Sequence, residues 1–282
     1  MAALLVLSHV QATQLLNAKR GGQSIISISP DLGLTHIEAL LSPDQVTFAN
    51  EKQLAWSEVE EIAENKNVCF VLQANGLHRI QRFSSETNRF CSLMPTDLAP
   101  MLLIAGFPMH RIKDTDPYHD TLSKVKAIKP VVGRVLDTTT GLGYTAIEAS
   151  RTAHQVITVE LDPAVLEIAR LNPWSQPLFD NPKITQLVGD SCEVIQELKD
   201  GMFSRIIHDP PTFSLAGELY SGTFYQELAR VLTRGGRLFH YIGDLNSSLG
   251  RRVAKGAAQR LLDSGFARVQ PYPPAFGLVV HK

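Results

Sequence analysis

Through the second half of the chain, short apolar runs alternate regularly with amphipathic stretches. The pattern predicts strands over 134–139, 155–160, 184–188, 204–208 and 237–242, each followed by a helical stretch: 144–153, 163–171, 192–198, 223–232 and 249–264. Pro163 sits in the first turn of its helix, and Asn172-Pro173 stops it. Two more strands, 268–272 and 276–281, close the chain over Pro273-Pro274. Strands alternating with helices of this length imply a mainly parallel sheet covered on both faces, and so short a final link makes the last two strands antiparallel neighbours. The expected architecture of 131–282 is an α/β, doubly wound, seven-stranded sheet with an antiparallel last strand.

The first hundred residues have a different texture. Short β-like runs over 24–29, 45–49, 67–73 and 77–83 are punctuated at Gly21-Gly22, Ser29-Pro30, Asn75-Gly76 and Ser84-Ser85. Asn75-Gly76 between apolar runs is a two-residue hairpin signal. One helix is expected over 56–65, where Glu58, Glu60, Glu61 and Glu64 read as a solvated face. Residues 1–95 are therefore expected to form a small α+β accessory domain. Residues 96–130 are expected to be a helical connector, helical over 97–105 and 120–128 around the loop Gly106-Phe107-Pro108.

Composition narrows the function classes. With 27 basic and 28 acidic side chains the net charge is -1, so total charge directs the molecule neither to nucleic acid nor to an anionic membrane. Three scattered cysteines, Cys69, Cys91 and Cys192, suit a reducing compartment better than a disulfide framework, and no metal-ligand spacing is present. The apolar opening is too short to span a bilayer and has no leader pattern. A cytoplasmic protein that binds neither metal nor membrane is expected.

In such a sheet, ligands bind beyond the carboxyl ends of the strands, and four motifs fall there. The first strand runs through Asp137 into Thr138-Thr139-Thr140-Gly141-Leu142-Gly143, where two glycines ahead of a helix allow a ligand close to the backbone and to unpaired N–H groups. No Gly-Lys-Ser/Thr follows, which disfavours a phosphate-binding loop, and Asp137-Thr-Thr-Thr is foreign to an NAD fingerprint. The second strand ends at Glu160, where a carboxylate can accept both hydroxyls of a ribose. The third ends at Gly189-Asp190, a carboxylate able to accept from an exocyclic amine or to cap the next helix. The fourth ends at Asp209-Pro210-Pro211-Thr212-Phe213, a stiff rim of acid, carbonyls and aromatic suited to an amine nucleophile.

In order and spacing, these motifs resemble the class I S-adenosylmethionine-dependent methyltransferases, over about residues 111–282. The phrases Asn172-Pro-Trp-Ser, His208-Asp-Pro-Pro-Thr-Phe-Ser-Leu-Ala-Gly-Glu-Leu-Tyr-Ser and Leu238-Phe-His-Tyr-Ile-Gly are similar to those of an uncharacterised group of archaeal and cyanobacterial predicted methyltransferases. The resemblance implies an enzyme with S-adenosyl-L-methionine as cofactor, bound by Asp137, Thr139, Gly141, Gly143 and Glu160. Asp190 would meet the adenine amine, Leu161 and Cys192 its ring faces, and Arg111 the methionine end. It implies methyl transfer to nitrogen at Asp209, Pro210, Pro211 and Phe213, the acceptor being a small amine, an RNA base or a protein side chain. Two departures stand out: Thr139 replaces the usual first glycine, and Thr212 displaces the aromatic to Phe213. Residues 218–232 before Gly235-Gly236 also resemble aminopropyltransferases of the spermidine synthase type, which use decarboxylated S-adenosylmethionine. A non-catalytic adenosyl- or RNA-binding module is the remaining alternative.

Other polar residues have simpler readings. His208 and His240 on central strands read as structural more readily than as catalytic bases. Trp174 belongs first to a helix stop, and Arg251, Arg252, Lys255 and Arg260 to a solvated helix face rather than an RNA-contacting patch.

Overall fold

A computed structural model describes residues 4–49 and 51–282. The chain divides into two compact units, Met1–Pro117 with Ala164–Gln176, and Tyr118–Pro163 with Pro177–Lys282.

The first unit contains β1 (Leu5–Leu7), α1 (His9–Arg20), β2 (Ile25–Ile28), β3 (Ile37–Leu41), β4 (Gln45–Phe48), β5 (Gln53–Ala55), α2 (Trp56–Glu64), β6 (Phe70–Gln73), β7 (Gly76–Arg79), β8 (Gln81–Ser84), β9 (Arg89–Met94), β10 (Met101–Ile104) and β11 (Phe107–Pro108). They form antiparallel sheets in the orders β1-β6-β7, β2-β3-β4-β5 and β11-β10-β9-β8. The turn from β6 into β7 is Ala74-Asn75, one residue before the expected Asn75-Gly76, with Gln73 paired to Gly76 inside the ladder. Helix α1 opens on a capping box between Ser8 and Gln11 and packs Ala12 and Leu15 into a core with Phe48, Val59, Ile62 and Phe70. The helix expected over 97–105 is a strand instead. Ala105 and Gly106 both take positive φ (50° and 79°), which folds β10 back onto β11 as a two-residue hairpin.

The second unit carries α3 (Pro117–Ala127), β12 (Arg134–Asp137), α4 (Tyr144–Ser150), β13 (Gln155–Glu160), α5 (Pro163–Leu171), α6 (Gln176–Asp180), β14 (Ile184–Val188), α7 (Ser191–Glu197), β15 (Phe203–His208), α8 (Gly222–Val231), β16 (Leu232–Tyr241), α9 (Ser248–Asp263), β17 (Arg268–Tyr272) and β18 (Gly277–His281). Residues 164–176 of the crossover after β13, which include most of α5, belong to the first unit. There the Trp174 indole donates to the Leu32 carbonyl at 3.1 Å.

The seven strands lie in the order β14-β13-β12-β15-β16-β18-β17. β18 runs antiparallel between β16 and β17. Alternate residues of each central strand point to opposite faces. Leu136, Ile206 and Leu238 pack with Leu228 of α8 and Leu261 of α9, while Val135, Ile207 and Phe239 pack with Ala146 of α4 and Val125 of α3. Both faces are thus buried, and the carboxyl edge of β12–β15 is left to the loops. No helix among the described residues is long and apolar enough to cross a membrane.

Candidate active site

Asp137 ends β12 fully buried. Its carboxylate accepts from the Thr158 hydroxyl at 2.9 Å and the Thr145 hydroxyl at 3.2 Å, and Thr140 lies 2.7 Å from Thr158 in turn. Burial pushes its pKa up to about 8; the hydroxyls oppose that shift, and the charges of Asp209 and Glu160 add to it. Its neighbours are therefore neutral donors.

The loop after Asp137 places its two glycines in left-handed conformations, φ 53° at Gly141 and 77° at Gly143. Their surroundings differ. A Cβ on Gly143 would lie 2.6 Å from Leu178, whereas one on Gly141 would meet nothing within 4 Å. Gly143 thus answers to core packing, and Gly141 presents the open backbone face. The Gly141 N–H donates to Glu160 Oε2 at 2.7 Å, and Asp162 N–H to Oε1 at 3.1 Å. Burial raises the Glu160 pKa to about 7 against these N–H bonds. Both carboxylate oxygens accept backbone hydrogens and, with two lone pairs each, can still accept from a further donor.

Beside Glu160, Leu161 is 44% exposed and Val188 59%, two apolar side chains held in solvent at the strand ends. Asp190 caps α7, accepting from Cys192 N–H at 2.7 Å. Burial and Asp190 raise the Cys192 thiol pKa to about 12, so it behaves as a packing group.

At the end of β15 lies an ion cluster that sequence reasoning missed. Lys124 of α3 is buried, with Nζ 2.7 Å from Asp120 Oδ2 and 2.7 Å from Asp209 Oδ2. The two carboxylates hold its pKa above the ordinary lysine value despite burial. The Asp209 side chain remains 18% exposed, and its Oδ1 makes no hydrogen bond among the described residues. Asp120 and Lys124 stand one helical turn apart; in sequence they look like any exposed i,i+4 pair. Thr139, in place of the usual glycine, donates to the Asp209 carbonyl at 2.6 Å and ties the first loop to the fourth.

The rim differs from the expected row of outward carbonyls. Thr139 takes the carbonyl of Asp209, and the Tyr220 hydroxyl takes that of Pro211 at 2.9 Å. Phe213 is 60% exposed and meets Tyr220 edge-on at 5.6 Å. His208 lies beneath, its Nε2 donating to the Leu219 carbonyl at 2.9 Å, which leaves Nδ1 to accept from the Thr138 hydroxyl at 2.7 Å. Burial lowers its pKa to about 3. His240 is fully buried with Nε2 2.7 Å from the Tyr225 hydroxyl, and burial pushes its pKa well down. Both act as neutral structural histidines. The second unit thus brings together Asp137, Thr139, Gly141, Gly143, Glu160, Leu161, Asp190, Cys192 and the Asp209 loop. Arg111 belongs to the first unit, after β11.

An open backbone face at Gly141, carboxylate lone pairs on Glu160, exposed Leu161 and Val188, and Asp190 together supply acceptors for hydroxyls and an amine, with apolar surface beside them. The residues present fit an adenosyl group.

The strand order and the antiparallel β18 define the Rossmann-like fold of the class I methyltransferases. A spermidine synthase in complex with the transition-state analogue AdoDATO shares it at TM-score 0.58, with 20% identity over 71% of this chain and 72% of that one. Spermidine synthase from Thermotoga maritima matches at TM-score 0.56, 23% identical, over 71% of each chain. Residues 119–230 match the family model described as Conserved hypothetical protein 95. More particularly, the chain belongs to the family of the uncharacterised protein MJ1233 of Methanocaldococcus jannaschii, 48% identical over 197 residues, 69% of this chain and 68% of that protein. Relatives with a named activity are transferases. A polyamine aminopropyltransferase of Sulfurisphaera tokodaii is 30% identical over 46% of each chain, and putrescine N-methyltransferase 4 of Nicotiana tabacum is 28% identical over 34% of this chain and 26% of its own. The chain spans about half the length of such aminopropyltransferases, or less.

Proposed function

We propose that the protein is an S-adenosylmethionine-dependent methyltransferase acting on a nitrogen acceptor. The observation that carries the reading is Asp209: at the carboxyl end of β15, one carboxylate oxygen is fixed by Lys124 and the other is available. Glu160 would hold the ribose hydroxyls, Gly141 and Thr139 would face the methionine part, Leu161 and Cys192 the adenine ring, and Asp190 its amine. Bound there, S-adenosylmethionine supplies a sulfonium-activated methyl group. Asp209 Oδ1 accepts a hydrogen bond from the acceptor N–H and turns the nitrogen lone pair toward that methyl. The fixed Asp209 carboxylate would favour the positive charge that develops on the acceptor nitrogen. Orientation of the two partners supplies much of the remaining acceleration.

Aminopropyl transfer is the second reading. The carboxyl groups of Glu160, Asp190 and Asp209 line this edge, and decarboxylated S-adenosylmethionine would meet them without a carboxylate of its own to be repelled. The nucleoside product separates the two. With an amine mixture as acceptor, mass spectrometry should find S-adenosylhomocysteine released from S-adenosylmethionine. Release of 5′-methylthioadenosine from the decarboxylated form selects aminopropyl transfer, and neither product overturns both readings.

A further inference from the structure

We infer that Arg205, Arg237, His281 and Arg268 form an anion-binding row toward the amino-terminal end of the central strands, and that its ligand is a small oligophosphate. The row is separate from the proposed transfer site. Arg205 precedes Asp209 by four residues of chain, roughly 13 Å when extended.

The four side chains stand directly opposite one another across β15, β16, β18 and β17. Arg205 pairs with Arg237, Arg237 with His281, and His281 with Arg268. Residues opposed in this way share one face of the sheet. Two residues along their strands, Ile207, Phe239 and Val279 continue that face into the core with Val125 of α3. Like charges directly opposite destabilise a sheet, and here every position of the row is basic. Among the described residues none of the four makes an ion pair. Burial and the charge of Arg237 lower the pKa of Arg205. Burial with the charges of Arg237, Arg268 and Arg205 lowers that of His281. Both shifts mark a place that disfavours one more positive charge, and such a place favours an anion.

Local roles account for the pieces and not for the row. Arg205 Nε donates to the Ile128 carbonyl at 2.7 Å and Arg237 to that of Lys129 at 2.6 Å, just past the end of α3, where cations are favoured. Arg268 is exposed on the edge strand β17, where a charge deters pairing with another chain. Neither role sets four basic groups in one register or leaves them without carboxylates. The carbonyls hold Arg205 and Arg237 in place, while Arg268 and His281 make no side-chain hydrogen bond among the described residues.

The charge and length of the row define the ligand. Guanidinium forks match phosphate oxygens in pairs. Four strands cover three inter-strand spacings, roughly 14 Å, which is too long for one phosphate and accommodates several in line. A nucleic-acid strand would bring bases as well, and no Phe, Tyr or Trp belongs to the row to stack them.

Calorimetric titration with sodium tripolyphosphate tests the row, with orthophosphate and a single-stranded oligonucleotide as comparisons. Tripolyphosphate should bind at least tenfold tighter than orthophosphate, and tighter than the oligonucleotide. Arg268→Ala, which has no hydrogen bond to lose, should weaken it at least fivefold. Arg252→Ala removes the same charge from an exposed position of α9, on the other face of the sheet, and should weaken it less than twofold. The imidazole proton signals of His281, assigned through His281→Gln, should move as tripolyphosphate is added. Equal binding of tripolyphosphate and orthophosphate, equal losses in the two folded variants, or an unmoved His281 signal overturns the inference. Tighter binding of the oligonucleotide overturns the small ligand. None of these readouts uses an adenosyl ligand or turnover, so their failure leaves the transfer reading untouched.

Discussion

The carboxyl edge of the sheet is built in two chemistries. Along β12–β14, carboxylates meet neutral donors: hydroxyls at Asp137, backbone N–H groups at Glu160 and Asp190. At β15, Asp209 meets an ammonium. The first stretch keeps its buried acids close to neutrality, with Asp137 pushed to about 8 and Glu160 to about 7. The second keeps its acid paired with an ion. Such a division suits a ligand of hydroxyls and an amine on one side, and a charged or charge-developing partner on the other.

Removing the ion-bound acid should have the largest effect. Asp209→Ala is expected to cut single-turnover transfer by ~10²-fold or more, the usual consequence of misplacing a reacting group. Asp209→Asn should fall between, keeping an acceptor oxygen without the charge. Normal turnover in Asp209→Ala would make the Asp-Pro-Pro loop architectural.

The two glycines sharpen the contrast between packing and binding. Gly143→Ala meets Leu178 and a positive φ at once, and should cost about 2–4 kcal/mol, read by denaturant titration. Gly141→Ala has the strain without the clash, and should cost only about 1 kcal/mol while weakening adenosyl binding. Equal losses of stability would erase the distinction.

Asp137 tests the near-neutral stretch by pH. Its folded pKa of about 8 lies far above the ordinary value near ~4. Between those values the folded chain holds a proton that the unfolded chain has released. Stability therefore falls as pH rises across that window, by up to ~1.4 kcal/mol per pH unit. Asp137→Asn has no proton to lose. Its melting temperature should gain on the wild type from pH 5 to pH 8, and a constant difference would contradict a buried, mostly protonated Asp137.

Much of this edge was legible in sequence because each motif ends a short apolar strand, three of them (β12, β13 and β15) in the middle of the sheet. That is why Asp137, Glu160, Asp190 and Asp209 could be placed before the sheet was seen. Lys124 and Asp120 were not legible, since spacing alone does not reveal whether an i,i+4 pair is buried. The first unit was harder for a related reason. Helix α1 buries only a narrow stripe (Gln11, Ala12, Leu15, Ala18), and β3 ends in four helix formers, Glu-Ala-Leu-Leu after Ile37, made a strand by pairing with β2 and β4. Around 97–105, the left-handed Ala105-Gly106 turn decided the outcome against apparent helicity.

The division of the edge is tested most directly by calorimetry of S-adenosylmethionine binding to two variants. Glu160→Ala removes a charge-assisted contact to the ribose and should weaken binding ~10–100-fold, about 1.5–3 kcal/mol. Asp209→Ala should leave affinity within about threefold, ~0.65 kcal/mol. Equal losses in the two folded variants, or NAD bound as tightly as S-adenosylmethionine by the wild type, would contradict it.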